Sequence, residues 1–292
     1  MDYKITEEYK DTRVDKFVRK KYEGLKLGEI FKYLRTKKIK VNGKKVEGKY
    51  RLQVGDVVNV FLREGATKEK EFIKLSPTEI EYIKKGIVYE DDKVLIFDKE
   101  PNMVMHKGSG HDYGLSEMLK AYTENMNFTF VNRIDKATSG MIIGAKTLPV
   151  VRELSEEIRE RRVEKKYYIL VDGKPKQNKF TIKSYLKKTE TKVVELDRWE
   201  EGAKESISYF KTVKNGKTRT LLEGLLGTGR THQLRVQLAN EKMPIVGDMK
   251  YGVSKEKMMY LYSYYVNIPK YNIEITRDIP TGFLKKLKID KG

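Results

Sequence analysis

The alternation of apolar and polar positions divides the chain near residue 77. In VDKFVRKKY, Val14, Phe17 and Val18 recur at helical spacing, and Asp11 or Thr12 stands where a helix cap is needed. A second helical stretch covers about Gly28 to Arg35, with Ile30, Phe31 and Leu34 on one face. Two short strand signals follow, IKVNGKKV and DVVNVFL, with turn residues at Asn42-Gly43 and Gly55-Asp56. Thr12 to about Leu62 thus reads as one compact unit. Arg63 to about Ser76 is polar and aperiodic, so it reads as a linker, and the boundary falls near Pro77. The expected division is 1–76, a small domain plus linker, and 77–292, a larger domain.

From Ile87 the pattern is mixed. GIVYEDDKVLIFDKE predicts a hairpin about Glu90-Asp91-Asp92, and GLSEMLKAYTENM predicts a helix with Ser116 and Leu119 on its inner face. MIIGAKT reads as a short buried strand. LPVVRELSEEIRERRV is an amphipathic helix with Val151, Leu154 and Ile158 on its apolar side. KYYILVDG, KFTIKSYL, ISYFKTV and RTLLEGLL read as successive strands. Many strands with few helices between them predict an α+β domain with a mixed, mainly antiparallel sheet rather than a doubly wound one.

Lys and Arg number 61 against 42 Asp and Glu, a formal net charge of +19. Such a balance attracts polyanions, gives salt-sensitive binding and fits an RNA partner. An alternative is a merely soluble, highly charged surface. Basic residues crowd the helix-to-strand junction of the small domain: Lys32, Arg35, Lys37, Lys38, Lys40, Lys44 and Lys45. Cysteine is absent, which excludes disulfides, thiolate metal sites and a cysteine nucleophile. The N-terminal stretch lacks the apolar core of a signal peptide, and no later run approaches membrane-spanning length. A cytoplasmic, monomeric protein without a membrane partner is expected.

The chemistry concentrates in two stretches, NRIDKATSG (132–140) and GRTHQLRVQ (229–237). The first carries one carboxylate, Asp135, beside a small polar turn; the second supplies a fixed cation, Arg235. A guanidinium in contact with a carboxylate favours its charged form and fixes its orientation. Asp135 could instead cap the turn through Ala137-Thr138, a common use of Asp. His106, His111 and His232 could suggest a metal site, but the first two sit five apart in a Gly-rich loop without a matching carboxylate pattern.

Together these stretches resemble the two signatures of the RluA-type pseudouridine synthases, H-R-L-D-x-x-T-S-G and G-R-T-H-Q-I-R. The small domain, through RVDKFV, LRTKKIKVNGKKV and QVGDVVNV, resembles the RNA-binding domain named after ribosomal small-subunit protein S-four. The resemblance implies isomerisation of uridine within RNA, without nucleotide cofactor or metal. It implies Asp135 as nucleophile or base, Arg235 as its partner, and Tyr167, rather than Tyr168, as the active-site tyrosine of VEKKYYILVDG. Arg133, two residues before Asp135, is implied in flipping the nucleotide out of its stack, and Arg35, Lys37, Lys38, Lys40 and Lys44 in holding RNA backbone. Ribosomal RNA of the large subunit is the expected substrate, with transfer RNA open.

Two departures stand out. Asn132 replaces the family's leading His and cannot titrate. The family's K-P-x-G-x-x-V-H reads KEPNMVMH here, from Lys99 to His106, with Asn102 where Gly is usual. Asn is the next-best residue for left-handed backbone, so the turn can be kept. Thr231, His232, Asp248 and Tyr251, the last two in PIVGDMKYG, are assigned to the scaffold. The competing reading is a non-catalytic RNA-binding or ribosome-assembly factor, which Asn132 alone favours. An RNA-cleaving enzyme would need a His pair or metal-binding carboxylates.

Overall fold

The computed structural model describes residues 1–62, 68–69, 71–106, 112–253 and 256–288. The first unit comprises β1 (Asp2–Lys4), α1 (Val14–Lys21), β2 (Tyr22–Glu23), α2 (Leu27–Arg35), β3 (Ile39–Val41), β4 (Val57–Val60) and β5 (Lys68–Glu69). β1, β4 and β3 form an antiparallel sheet in that order, and β2 pairs with β5. Val14, Phe17 and Val18 of α1, with Ile30 and Leu34 of α2, bury in one core with Ile39, Val41, Val58 and Val60. Phe31 departs from the expected inner face. It is 41% exposed and lies over Gly48, where an added Cβ would stand 2.3 Å from its ring.

α1 is not capped by Asp11 or Thr12. The Val14 N–H bonds the carbonyl of Tyr50, so a neighbouring backbone does what a capping side chain would do. Asn42 and Gly43 take φ of 52° and 72°, and Val41 and Lys44 exchange backbone hydrogen bonds across them. That is the left-handed geometry an Asn-Gly pair favours. IKVNGKKV therefore forms one strand and a tight turn, not a full hairpin.

The larger unit begins with α3 (Pro77–Gly86), a helix that the hydrophobic pattern did not indicate. Ser76 and Glu79 cap each other's backbone N–H groups, and Pro77 occupies the first turn. Next come β6 (Ile87–Glu90), β7 (Val94–Lys99), α4 (Leu115–Tyr122), β8 (Thr129–Phe130), β9 (Ser139–Ala145), α5 (Leu148–Arg159), β10 (Glu164–Asp172) and β11 (Lys179–Lys188). β12 (Val193–Leu196), β13 (Ala203–Asn215), β14 (Arg219–Leu226), α6 (Gln233–Asn240), β15 (Leu261–Ile268), β16 (Ile273–Thr276) and α7 (Thr281–Lys288) complete it. The expected hairpin is β6–β7, and the four expected strands are β10, β11, β13 and β14.

These strands make one sheet in the order β12-β11-β13-β14-β10-β15-β9-β7-β6, with β16 beside β15 and β8 beside β9. Among the described residues only β9 and β15 run parallel. The fold is thus α+β with a mainly antiparallel sheet. Helices cover both faces: Leu234 and Leu238 of α6 pack with Tyr167, Ile169 and Leu222, while Phe283 and Leu287 of α7 pack with Leu170 and Leu221. The two units touch where the Leu148 N–H, at the start of α5, donates to Glu8 Oε1 at 2.9 Å, and where the Tyr9 hydroxyl donates to Asn127 at 3.2 Å.

The parallel pair is short, Ser139 and Gly140 against Tyr262 and Ser263, and very close. Gly140 adopts φ 106°, and a Cβ there would lie 2.4 Å from the backbone N and O of Ser263. No L side chain fits either requirement. Gly140→Ala should therefore destabilise the protein by at least about 2 kcal/mol in denaturant unfolding. A loss below about 0.5 kcal/mol would show that β9 and β15 can separate freely.

Candidate active site

Three segments distant in sequence meet at a cleft of about 290 Å³ on the α6 face of the sheet. The loop from Asn132 to Thr138 leads into β9 and brings Asp135. β10 brings Lys165 and Tyr167. The turn before α6, with α6 itself, brings Arg230, His232 and Arg235.

Asp135 sits in a turn closed by its own carbonyl, which accepts from the Thr138 N–H at 3.0 Å. Its carboxylate takes no part in that turn. Oδ2 accepts from Arg235 Nη1 at 2.9 Å, and about a quarter of the side chain (27%) is open. Capping therefore does not account for this residue.

Arg235 is nearly buried. Its Nε and Nη2 donate to Asp248 Oδ2 and Oδ1 at 2.7 and 2.8 Å, a two-pronged bond to a carboxylate that is itself fully buried. Burial alone would lower the guanidinium pKa, but Asp248 first and Asp135 second hold it above its ordinary value. Burial likewise pushes Asp248 up, and Arg235 together with the Lys250 and Tyr251 N–H groups brings it below the usual carboxylate range. Asp248, which the sequence places in the scaffold, is thus in direct contact with the cation. Its signal was the G-D-x-x-Y-G turn, without indication of what the carboxylate would bind.

α6 does not look like a core helix in the sequence, yet residues Gln233 to Leu238 are all buried. Gln233 donates to the Ile207 carbonyl and to Ser208 and accepts from Thr228 and the Arg230 N–H. Gln237 accepts from Ser208 and donates to Ser184. These bonds fix the helix, and with it Arg235, on the sheet.

His232 begins α6 in left-handed backbone, φ 55°. Tyr251 Oη accepts from the Val193 N–H and shares a 2.8 Å hydrogen bond with His232 Nδ1, whose direction follows the tautomer of the ring. The other ring nitrogen, Nε2, lies 3.8 Å from Asp135 Oδ2. Burial lowers the His232 pKa against the opposing pull of Asp135, so the ring is neutral near pH 7.

Tyr167 points into the cleft, whereas Tyr168 lies on the other face, stacked on Tyr264 at 3.7 Å. Burial, assisted by the Asp135 charge, pushes the Tyr167 hydroxyl up to about 12 despite a lowering influence of Ser263. At neutral pH it is a hydrogen-bond donor and a ring face, not a base.

Arg133 is exposed at the rim and makes no ion pair among the described residues. Asn132 is buried and accepts from the Ile143 N–H at 2.7 Å, tying the loop to β9. Behind the loop, the Lys136 carbonyl accepts from the Asn102 N–H at 2.8 Å and from Lys99 Nζ at 3.0 Å. Asn102 takes the expected left-handed backbone, φ 67°. Burial lowers Lys99 to about 8 against the Asp135 charge. The KEPN turn therefore supports the Asp135 loop directly, a role that spacing alone did not reveal.

Arg35, Lys37, Lys38 and Lys44 are exposed and Lys40 half-exposed around the C-terminal end of α2 and the Asn42-Gly43 turn. They lie in the other unit. Cations beside a helix C-terminus complement its dipole, and here they leave a basic surface without paired carboxylates among the described residues. His106 is not grouped with other metal-binding side chains among the described residues, and His111 lies outside them. Among the described residues, no helix is long and apolar enough to cross a membrane.

A family model described as RNA pseudouridylate synthase matches residues 93–240, and one described as S4 domain matches residues 12–58. The ribosomal large subunit pseudouridine synthase C of Buchnera aphidicola subsp. Baizongia pistaciae is 36% identical over 253 residues, covering 86% of this chain and 80% of that protein. The protein of the same name from Vibrio vulnificus is 32% identical, covering 85% of this chain and 79% of its own. Human RNA pseudouridylate synthase domain containing 1 shares the fold, with a TM-score of 0.58 at 24% identity over 67% of this chain and 83% of that one. An ion-paired aspartate in the cleft of such a sheet, with these matches along most of the chain, places it in the RNA pseudouridylate synthase family, with an S4 domain preceding the synthase fold.

Proposed function

We propose that this protein converts specific uridines of large-subunit ribosomal RNA to pseudouridine, with Asp135 acting on the ribose of a flipped-out nucleotide. The observation that carries the reading is the Asp135 carboxylate, held at the cleft by Arg235 and unused by its own turn. The substrate follows from the two relatives, both named for the large ribosomal subunit. Transfer RNA is the second substrate class to be tested.

The reaction exchanges an N1–C1′ bond for a C5–C1′ bond. Asp135 serves as nucleophile at C1′ or as base toward the sugar, releasing the uracil for rotation and reattachment. Arg235 orients it, and Asp248 orients Arg235. Tyr167 offers a ring face to the base and a donated hydrogen bond. Extracting the nucleotide costs about a few kcal/mol, and Arg133, exposed at the rim, holds the opened backbone in this reading. The first domain ends before Pro77 and brings Arg35, Lys37, Lys38, Lys40 and Lys44 to RNA phosphates. The protein works as a cytoplasmic monomer.

Carbodiimide-dependent reverse-transcriptase stops, mapped in ribosomal and transfer RNA with and without the gene, test this directly. Stops should vanish on deletion and return with the wild type but not with Asp135→Asn, which should still bind RNA within a few-fold. An unchanged map with tight RNA binding would establish the assembly-factor reading instead. Asp248→Asn removes the buried charge that meets two of the Arg235 nitrogens, leaving Asp135 as its one carboxylate, and should cost about 3 kcal/mol of stability in urea unfolding. A stable Asp248→Asn enzyme of normal rate would remove Asp248 from the account. Replacing Lys37, Lys38 and Lys44 by Gln should weaken RNA binding and flatten its log–log salt dependence by about 0.7–0.9 per lost phosphate contact. An unaltered salt slope would place RNA elsewhere.

A further inference from the structure

Lys165 lines the same cleft as Asp135 and has no task in the account above. It precedes Tyr167 by two residues on β10, so strand alternation gives both side chains to one face. Both line the cleft with Leu226. Its neighbour Lys166, on the opposite face, pairs with Glu164 at 3.0 Å, which removes the nearest carboxylate in sequence.

The other cations of the cleft are committed or peripheral. Arg235 is held by two carboxylates, Arg230 donates to the Glu205 carbonyl, and Arg133 is exposed. Lys165 has no hydrogen bond and no ion pair among the described residues, and it is partly buried. Burial without an anion lowers its pKa, and a negative charge developing on a bound ligand would raise it again and hold the ammonium form. An unpartnered, partly buried ammonium beside a cleft points to an acceptor that arrives with the ligand.

The chemistry supplies such an acceptor. When N1–C1′ breaks, its electron pair stays with the uracil, spread over N1 and the carbonyl oxygens O2 and O4. Tyr167 is neutral, and Arg235 already answers the carboxylate on the sugar side. We propose that Lys165 is a further catalytic residue, its ammonium donating to a uracil carbonyl oxygen and stabilising the anionic base while it is detached from the ribose. The lysine keeps its protons. The pair returns to C1′ as C5–C1′ forms, C5 then loses its proton and N1 gains one from solvent. This assignment rests on the reading that Asp135 acts on the same uridine.

The test uses the full-length protein and a large-subunit RNA transcript carrying 5-tritiated uridine, with tritium release followed under single-turnover conditions. Lys165→Met and Lys165→Gln should lower the chemical rate about 10²-fold, the size expected for losing one charge-stabilising donor. RNA affinity and thermal midpoint should stay near wild type, and Lys165→Arg should recover most of the rate. Sulfur is a weaker acceptor than oxygen, so 4-thio or 2-thio substitution at the modified uridine should slow the wild type. The same substitution should leave Lys165→Met no slower than it already is. A Lys165→Met rate within threefold of wild type overturns the proposal, as does a defect wholly in affinity or thio effects that multiply fully with the mutation. Should Lys165→Met not fold, Lys165→Gln and Lys165→Arg decide the matter by the same comparison. Asp135→Asn separates the two readings: tritium release by that variant sinks the site assignment itself, whereas its silence beside a fully active Lys165→Met sinks only the lysine.

Discussion

A single buried guanidinium organises the catalytic domain. Burying a charge without partners costs several kcal/mol, so Arg235 is tolerable only because Asp248 meets it with both oxygens. Asp248 is in turn supplied by the Lys250 and Tyr251 N–H groups. With two of its three nitrogens committed on one side, Arg235 presents Nη1 in a fixed direction, and Asp135 completes the chain of charges at the cleft. An isolated Arg–Asp pair on mobile side chains would hold its geometry far less firmly, since each long side chain would have to be ordered for one bond.

The carboxylate's position depends as much on backbone as on charge. The Asp135 loop is gripped from behind by Lys99 and the Asn102 N–H on one carbonyl, and from the side by Asn132 on β9. Its exit into β9 requires Gly140 to pass against Ser263. Four chain segments, near residues 99–102, 132–140, 230–251 and 261–263, therefore have to assemble before the cleft exists. The basic surface of the first domain is built on a different core and shares none of these requirements.

Legibility followed the period of the pattern. α1, α2, α5, β11 and β13 each bury one face and expose the other, and their spacing is readable in the sequence, whereas β10 and β14 are covered on both faces and read as apolar runs. Three kinds of element were not legible. α3 is announced by a Ser-Pro-Thr-Glu cap, not by strong periodicity. α6 is buried on all sides with two Gln and an Arg inside, so no apolar stripe marks it. β1, β12 and β16 are three or four residues long and owe their state to the strands they join, since segments that short hold little local information. Caps showed the same limit: the N–H of Val14 is taken by a distant carbonyl that no local rule contains.

By itself the sequence carried the small basic unit ahead of a larger α+β one, the surplus of positive charge, and four of the residues that meet at the cleft, Arg133, Asp135, Tyr167 and Arg235. Those are properties of composition, local periodicity and short motifs, which the chain holds whether or not it is folded. Only the tertiary structure decided that Asp248 holds Arg235, that the Lys99 turn supports the Asp135 loop, that His232 is neutral and Tyr167 a donor, and that Lys165 is left unpaired beside them. Each of these is a matter of distance and desolvation between residues far apart in the chain, and neither quantity exists until the sheet brings them together.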